Sequence, residues 1–215
     1  MKFAADQFFT EYRNAFGPLT QGQVDGLNEL LDEMGADTAT TDVRWFAYML
    51  ATAYHETAHT FQPIEEIGKG RGRPYGIPDR VTGQTYYGRG LVQLTWKRNY
   101  QTFSDLLGLD MVNDPALALD PATAYKIMSI GMTRGLFTGK KLADYINDQK
   151  RDYVNARRII NALDRADLIA GYAVKFEATL RGSLIEDSPS TQGSPPSPDT
   201  SSTEGSPPAE DSPPN

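Results

Sequence analysis

The chain has 215 residues, enough for one domain with a real core plus a tail. It contains no cysteine, which excludes disulfides and zinc–thiolate sites. Its 28 acids outnumber 21 bases, but six of those acids lie after Ile185. The rest of the chain is nearly neutral, so no nucleic-acid partner attracted by net charge is expected.

Residues 4–16 put Phe8, Phe9, Tyr12, Ala15 and Phe16 on one helical face, and Gly17-Pro18 ends that helix. Thr20 with Gln23 forms a capping box for a second helix, marked by Val24, Leu27, Leu30, Leu31 and Met34 and ended by Gly35. Thr41-Asp42 opens a third, which runs through Trp45, Phe46, Met49, Leu50 and Ala53 to about Thr57. Pro63 forbids a simple continuation. Residues 68–90 alternate glycines with prolines and polar residues, which predicts a long irregular loop or a small hairpin around Thr82-Gly83. Helix resumes near Trp96, with Tyr100, Phe103, Leu106 and Leu107 on one face and Gly108 as the stop. Asp114-Pro115 and Asp120-Pro121 each pair an N-cap with proline at the first helical position. Helices near 121–135, 150–162 and 166–182 follow, about eight in all.

Residues 1–185 therefore read as one all-α domain, and 186–215 as a disordered, acidic Pro/Ser-rich tail with eight prolines. The N-terminus has acids where an export signal needs an apolar core. No apolar run is long enough to span a bilayer. The expectation is a soluble monomer, not inserted in a membrane and made in a cytoplasm without an export signal.

Both histidines fall in Ala51–Gly68, where His55-Glu56-Thr57-Ala58-His59 has the form of a zinc-peptidase pattern. Three features weigh against zinc. There is no third histidine, Asp79 is the only acid of the 65–90 loop after Glu66, and Pro63 follows closely on the helix. No cofactor or metal is expected. The other reading is a pair of carboxylates. Glu56 sits in the last turn of an apolar helix, where the negative end of the dipole and burial by Ala53, Tyr54 and Phe61 favour its protonated form. Glu65 and Glu66 follow Pro63 beside the glycine-rich loop, where a solvated carboxylate stays ionised. An acid and a base on separate elements is what inverting glycoside hydrolysis requires.

Tyr86–Tyr100, YYGRGLVQLTWKRNY, resembles the signature of glycoside hydrolase family 19, the chitinases and chitinase-like phage endolysins. The match lies in Tyr87, Gly88, Arg89, Gly90, Gln93, Leu94, Thr95, Asn99 and Tyr100. AYHETAHTFQPIEE and VNARRIINALDRADLIA resemble two further motifs of that family, in the same order, so that the likeness covers roughly residues 40–182. It implies a two-lobed, lysozyme-like fold with the cleft between the lobes, and an inverting mechanism. It further implies Glu56 as general acid and Glu66, counted from Phe61, as base, with Glu65 the other candidate. Thr95 would help hold the nucleophilic water, Gln93 and Asn99 would bind sugar, and Tyr87 and Arg158 would line or brace the cleft. The chain departs from the pattern at His59, Ile67 and Ala162, and by one residue before Phe61.

On this reading the substrate is peptidoglycan, cut by an endolysin that waits in the host cytoplasm, or alternatively chitin. A zinc peptidase and a non-catalytic glycan-binding module are the remaining alternatives; retention of both carboxylates and Thr95 speaks against the last. Gly88 and Gly90 allow either close approach to sugar or plain turn chemistry, and Trp96 either stacks on sugar or joins the core. Arg89 is expected to pair with an acid in the cleft wall. Lys69, Arg71 and Arg73 form a basic loop, solvated or facing anionic wall groups.

Overall fold

The structure, a computed structural model, describes residues 1–185. The tail expected at 186–215 lies outside the described residues.

α1 (Ala5–Phe16) buries Phe8, Phe9 and Tyr12, the stripe its spacing predicts. α2 (Gln21–Ala36) starts at the Thr20–Gln23 capping box. Gly35 does not end it. The helix runs to Ala36, and Asp37 then takes over with its side chain. Asp37 accepts from the backbone N–H groups of Ala39 and Thr40 and, at 2.8 Å each, from the Tyr125 and Ser129 hydroxyls. α3 (Val43–Glu56) is capped by Asp42 and is buried almost continuously from Phe46 to Ala53. α7 (Ala166–Ser183) packs along it, with α1 and the single-turn α6 (Tyr153–Ala156) against α7. α2 pairs with α5 (Pro121–Arg134), whose N-cap is Asp120. The N-terminal strand segment is fixed to the end of α7 by the Ala4 N–H on the Ser183 carbonyl, 2.7 Å.

Two short strands organise the remainder. β1 (Ile64–Glu65) pairs antiparallel with β2 (Arg89–Gly90), Ile64 opposite Gly90 and Glu65 opposite Arg89. The strand pairing thus closes the base of the glycine-rich loop, whereas Thr82-Gly83 occupies a turn without a ladder. Asp79 organises that turn, accepting from the Val81 and Thr82 N–H groups and from Lys97 Nζ at 2.9 Å. α4 (Lys97–Leu107) ends at Gly108, whose left-handed φ of 67° suits glycine. Leu106, expected on its buried face, is exposed.

The helix expected at 150–162 is not continuous. β3 (Ile146–Asn147) pairs with β4 (Lys150–Arg151), Asp152 caps the single turn of α6, and the chain tightens into a 3-10 turn at Arg157–Ile159. That tightening turns Arg157 into the interior and leaves Arg158 outside. Among the described residues the architecture is mainly helical, seven α-helices with four two-residue strands, and no helix is long and apolar enough to cross a membrane.

Candidate active site

Glu56 is the last residue of α3. The chain then makes a left-handed exit, with φ of 50° at Ala58, 70° at His59 and 58° at Phe61. Non-glycine residues rarely adopt such angles, and clustering them costs about 1 kcal/mol or more apiece. The exit is paid for by packing: Phe61 is buried against Tyr12, Tyr54 and Phe176, and the Thr57 hydroxyl accepts the Phe61 N–H at 3.0 Å. The His59 N–H closes the helix on the Tyr54 carbonyl at 2.8 Å. This geometry dissolves the zinc pattern, because His55 and His59 do not share a helical face. The His59 ring stacks on Tyr54, 3.9 Å between centroids. Burial pushes both imidazoles below their usual range. Asp79, the one acid that could have completed a metal site from the loop, is committed to Lys97 and to the turn.

Arg157 reaches Glu56. Its Nη1 donates to Oε1 at 2.7 Å, and its Nε donates to the Asp164 carbonyl at 3.1 Å. The guanidinium is 2 % exposed, so this is an inward ion pair in a little-solvated setting. Glu56 is therefore not simply an acid at a negative helix end with apolar neighbours. A cation from a segment 101 residues away faces one oxygen and leaves Oε2 for chemistry. Arg158, expected to brace the cleft, is exposed and donates to Asn155 instead.

Glu65 is the last residue of β1 and Glu66 the first beyond it, and the two side chains find different partners. Glu65 accepts from the Tyr87 hydroxyl and from Lys69 Nζ at 2.6 Å, with Arg89 Nε 3.8 Å away. The bonds from Lys69 and Tyr87, with the nearby positive charge, hold its carboxyl below the usual glutamate range. Arg89 itself lies over the Tyr87 ring at 3.6 Å and donates to the Tyr100 hydroxyl at 3.1 Å, while the acid it was expected to pair with is Glu65, 3.8 Å from its Nε and not hydrogen-bonded to it. Glu66 is engaged differently. Its Oε1 accepts from the Tyr75 hydroxyl at 3.1 Å, its Oε2 from the Gly88 N–H at 3.0 Å, and its own N–H donates to the Gly88 carbonyl at 2.7 Å. All three bonds fasten the glycine-rich loop.

Gln93, Thr95 and Asn99 form a linked strip. Asn99 Nδ2 donates to the Thr95 carbonyl and the Thr95 hydroxyl to the Gln93 carbonyl, both at 2.7 Å. Gln93 Nε2 donates to the Ile64 carbonyl at 3.2 Å and the Gly90 carbonyl at 3.3 Å, which ties the strip to β1 and β2 and leaves Oε1. Gln93, Thr95 and Asn99 line a pocket of about 220 Å³ whose opposite side includes Phe137 and Ile160, just beyond the turn that carries Arg157. Gly88 and Gly90 serve local packing rather than a sugar. A Cβ on Gly88 would lie 2.8 Å from Gln93 Oε1, and one on Gly90 2.8 Å from the Ala118 carbonyl. The residue the sequence reading missed is Arg157. Its only signal was the Arg-Arg pair, and the choice between the two turns on the 3-10 twist.

A mainly helical, lysozyme-like fold with carboxylates on two separate elements and a polar strip tied to β1 and β2 defines the class. Residues 73–134 match the family model of glycoside hydrolase family 19, described as chitinase class I. That match bears out the resemblance read from the sequence. An endochitinase of Arabidopsis thaliana is 36 % identical over 100 residues, 44 % of this chain and 34 % of that protein. Endochitinase B of Zea mays is 38 % identical over 89 residues, 39 % of this chain and 31 % of that protein. The chain thus spans about a third of the length of these curated relatives. Among solved structures, chitinase C from Streptomyces griseus superposes with a TM-score of 0.57 at 23 % identity, covering 83 % of this chain and 76 % of that one. A class IV chitinase from Zea mays gives 0.54 at 21 %, covering 86 % and 94 %. These two likenesses establish the shared fold.

Proposed function

We propose that the protein hydrolyses β-1,4 glycosidic bonds of an N-acetylated cell-wall glycan by an inverting acid/base mechanism, with peptidoglycan as substrate. The observation that carries this reading is the placement of carboxylates on two separate elements: Glu56 at the end of α3, paired with buried Arg157, and Glu65 on β1, bonded by Tyr87 and Lys69. Glu56 acts as general acid, its Oε2 protonating the leaving glycosidic oxygen while Arg157 stabilises the carboxylate left behind. The second carboxylate takes a proton from water on the opposite face of the sugar. Glu65, the acid on β1 itself, is taken as that base, with Tyr87 and Lys69 holding its carboxyl below the usual glutamate range. Both oxygens of Glu66, the residue counted from Phe61, are engaged, as both of Glu65 are; the Glu66 bonds to Tyr75 and Gly88, with its own N–H on the Gly88 carbonyl, support a fastening role. Thr95 donates its proton to a carbonyl and so keeps oxygen lone pairs for a water, while Gln93 Oε1 and the Asn99 side chain face sugar.

Arg71, Arg73 and Arg80 favour an anionic glycan, since all are exposed and have no carboxylate partner among the described residues. Chitin is the second reading, favoured by relatives named as chitinases. Mass spectrometry of products from purified peptidoglycan and from chitin oligomers tests both. Glycan fragments with intact peptides from peptidoglycan are the expected result, cleavage of chitin alone would transfer the assignment, and peptide fragments would overturn it.

A further inference from the structure

We propose that Trp96, with Tyr75, is a stacking platform for a sugar ring of the same glycan strand, outside the bond being cut. This rests on the glycan-hydrolase reading above. Tryptophan at a helix start ordinarily joins the core, yet Trp96 is 45 % exposed. Its backbone is held firmly while its side chain is turned out. The Trp96 N–H donates to the Tyr86 carbonyl at 2.9 Å, and its carbonyl accepts from Asn99 N–H at 2.9 Å and Tyr100 N–H at 3.3 Å. Its φ of 74° is a left-handed angle disfavoured for a bulky residue. Neither cost is recovered by burial, the usual mark of a residue displayed for a ligand.

The surroundings say which ligand. Trp96 is shared by two cavities. One is the 220 Å³ pocket with Gln93, Thr95 and Asn99, and the other, of about 310 Å³, is lined by Tyr75, Ile77 and Lys97 among others. The indole therefore continues the polar strip outward, and a strand lying on Thr95 and Asn99 runs on over it. Tyr75 packs edge-on against the indole, centroids 5.2 Å apart, and its hydroxyl donates to Glu66. The platform is thereby tied to Glu66, next to β1. Ile77, 67 % exposed, lines the outer cavity together with exposed Arg80 and the Lys97–Asp79 ion pair, and exposed Arg98 lines the inner one. An apolar aromatic face with hydrogen-bonding cations at its edge suits the C–H face and the acetamido or carboxylate substituents of an N-acetylated hexosamine.

The chain has two tryptophans, and the other, Trp45, donates its indole N–H to the Ile146 carbonyl at 2.9 Å in a part-buried setting. Emission of a Glu56→Gln protein titrated with chitobiose and with chitohexaose thus reports Trp96, with Glu56→Gln/Trp96→Phe as reference. The expected result is a spectral shift with the hexamer, absent with the dimer and reduced in the phenylalanine reference. In steady-state kinetics Trp96→Ala raises KM for the hexamer roughly tenfold, the scale of one lost stacking contact, with a much smaller change in kcat, and Trp96→Phe recovers part of the loss. Hexamer cleavage with unchanged KM in Trp96→Ala would overturn the platform and leave the hydrolase reading standing. If the wild-type protein neither binds nor cleaves either oligomer or peptidoglycan, both fall together.

Discussion

The two carboxylate-bearing regions are built on opposite principles. Glu56 is placed by long-range structure: an almost wholly buried helix aims it, and an arginine 101 residues away fixes its charge environment. Glu65 and Glu66 are placed by short-range structure, a two-residue strand and hydrogen bonds to the loop that β1 and β2 enclose. The first region can change only if the core changes. The second can be retuned one contact at a time. An acid that must be aimed at one oxygen suits the rigid region, and a base whose ionisation must be tuned suits the adjustable one.

Five variants break or sharpen that contrast. Glu56→Gln has the largest effect, a loss of glycan cleavage of about 10²–10⁴-fold or more, with the fold retained because the amide oxygen still accepts from Arg157. Turbidity loss of purified walls and circular dichroism measure the two sides. Next come Glu65→Gln and Glu66→Gln compared directly. The former should reduce kcat about 10²-fold or more with little change in melting temperature. The latter should cost about tenfold and increase proteolysis within residues 66–88, since it loosens the Tyr75 and Gly88 bonds. The reverse order of effects would return the base to Glu66.

A fourth carboxylate serves as control. Burial alone would raise the Asp37 pKa, but bonds from Ser129, Tyr125 and Thr40 outweigh it and hold the group below the usual aspartate range. Its stabilisation is therefore present above the ordinary aspartate pKa and lost as pH falls through the folded value. Asp37→Ala should cost roughly 2–4 kcal/mol in urea unfolding, because it strands part-buried hydroxyls, and should leave the pH dependence of kcat/KM unmoved. Lys69→Ala gives the smallest effect and a signed one. Lys69 is the leading cause of the lowered Glu65 pKa, so its removal lets that pKa rise. If Glu65 is the base, the acid limb of the kcat/KM profile moves to higher pH while the plateau stays within a few-fold. An acid limb that does not move would remove Glu65 from that role.

How much of this was legible in the sequence follows the same division. The Thr20–Gln23 capping box, the Asp42 and Asp120 caps and the Gly108 stop are local devices, and each sits where its spacing puts it. Glu56 as a helix-terminal acid was equally legible, because Pro63 limits the helix. The β1–β2 pairing was not, since two-residue strands have no readable alternation. The division of Glu65 from Glu66 depends on where β1 ends and which partners each side chain meets, and counting residues from Phe61 cannot supply that. Arg157 was missed because helical periodicity was extended through a segment that tightens to 3-10. Trp96 was left between sugar stacking and the core, because its left-handed φ, which turns the indole outward, has no sequence signature.

The central claim is that Glu56 and a β1 carboxylate cut a β-linked glycan from opposite faces of the sugar. Proton NMR of the first products formed from chitin oligomers or solubilised glycan strands tests it most directly. The account predicts the α-anomer at the newly formed reducing end before mutarotation, absent in Glu56→Gln. Initial release of the β-anomer, or product formation undiminished in Glu56→Gln, would contradict it.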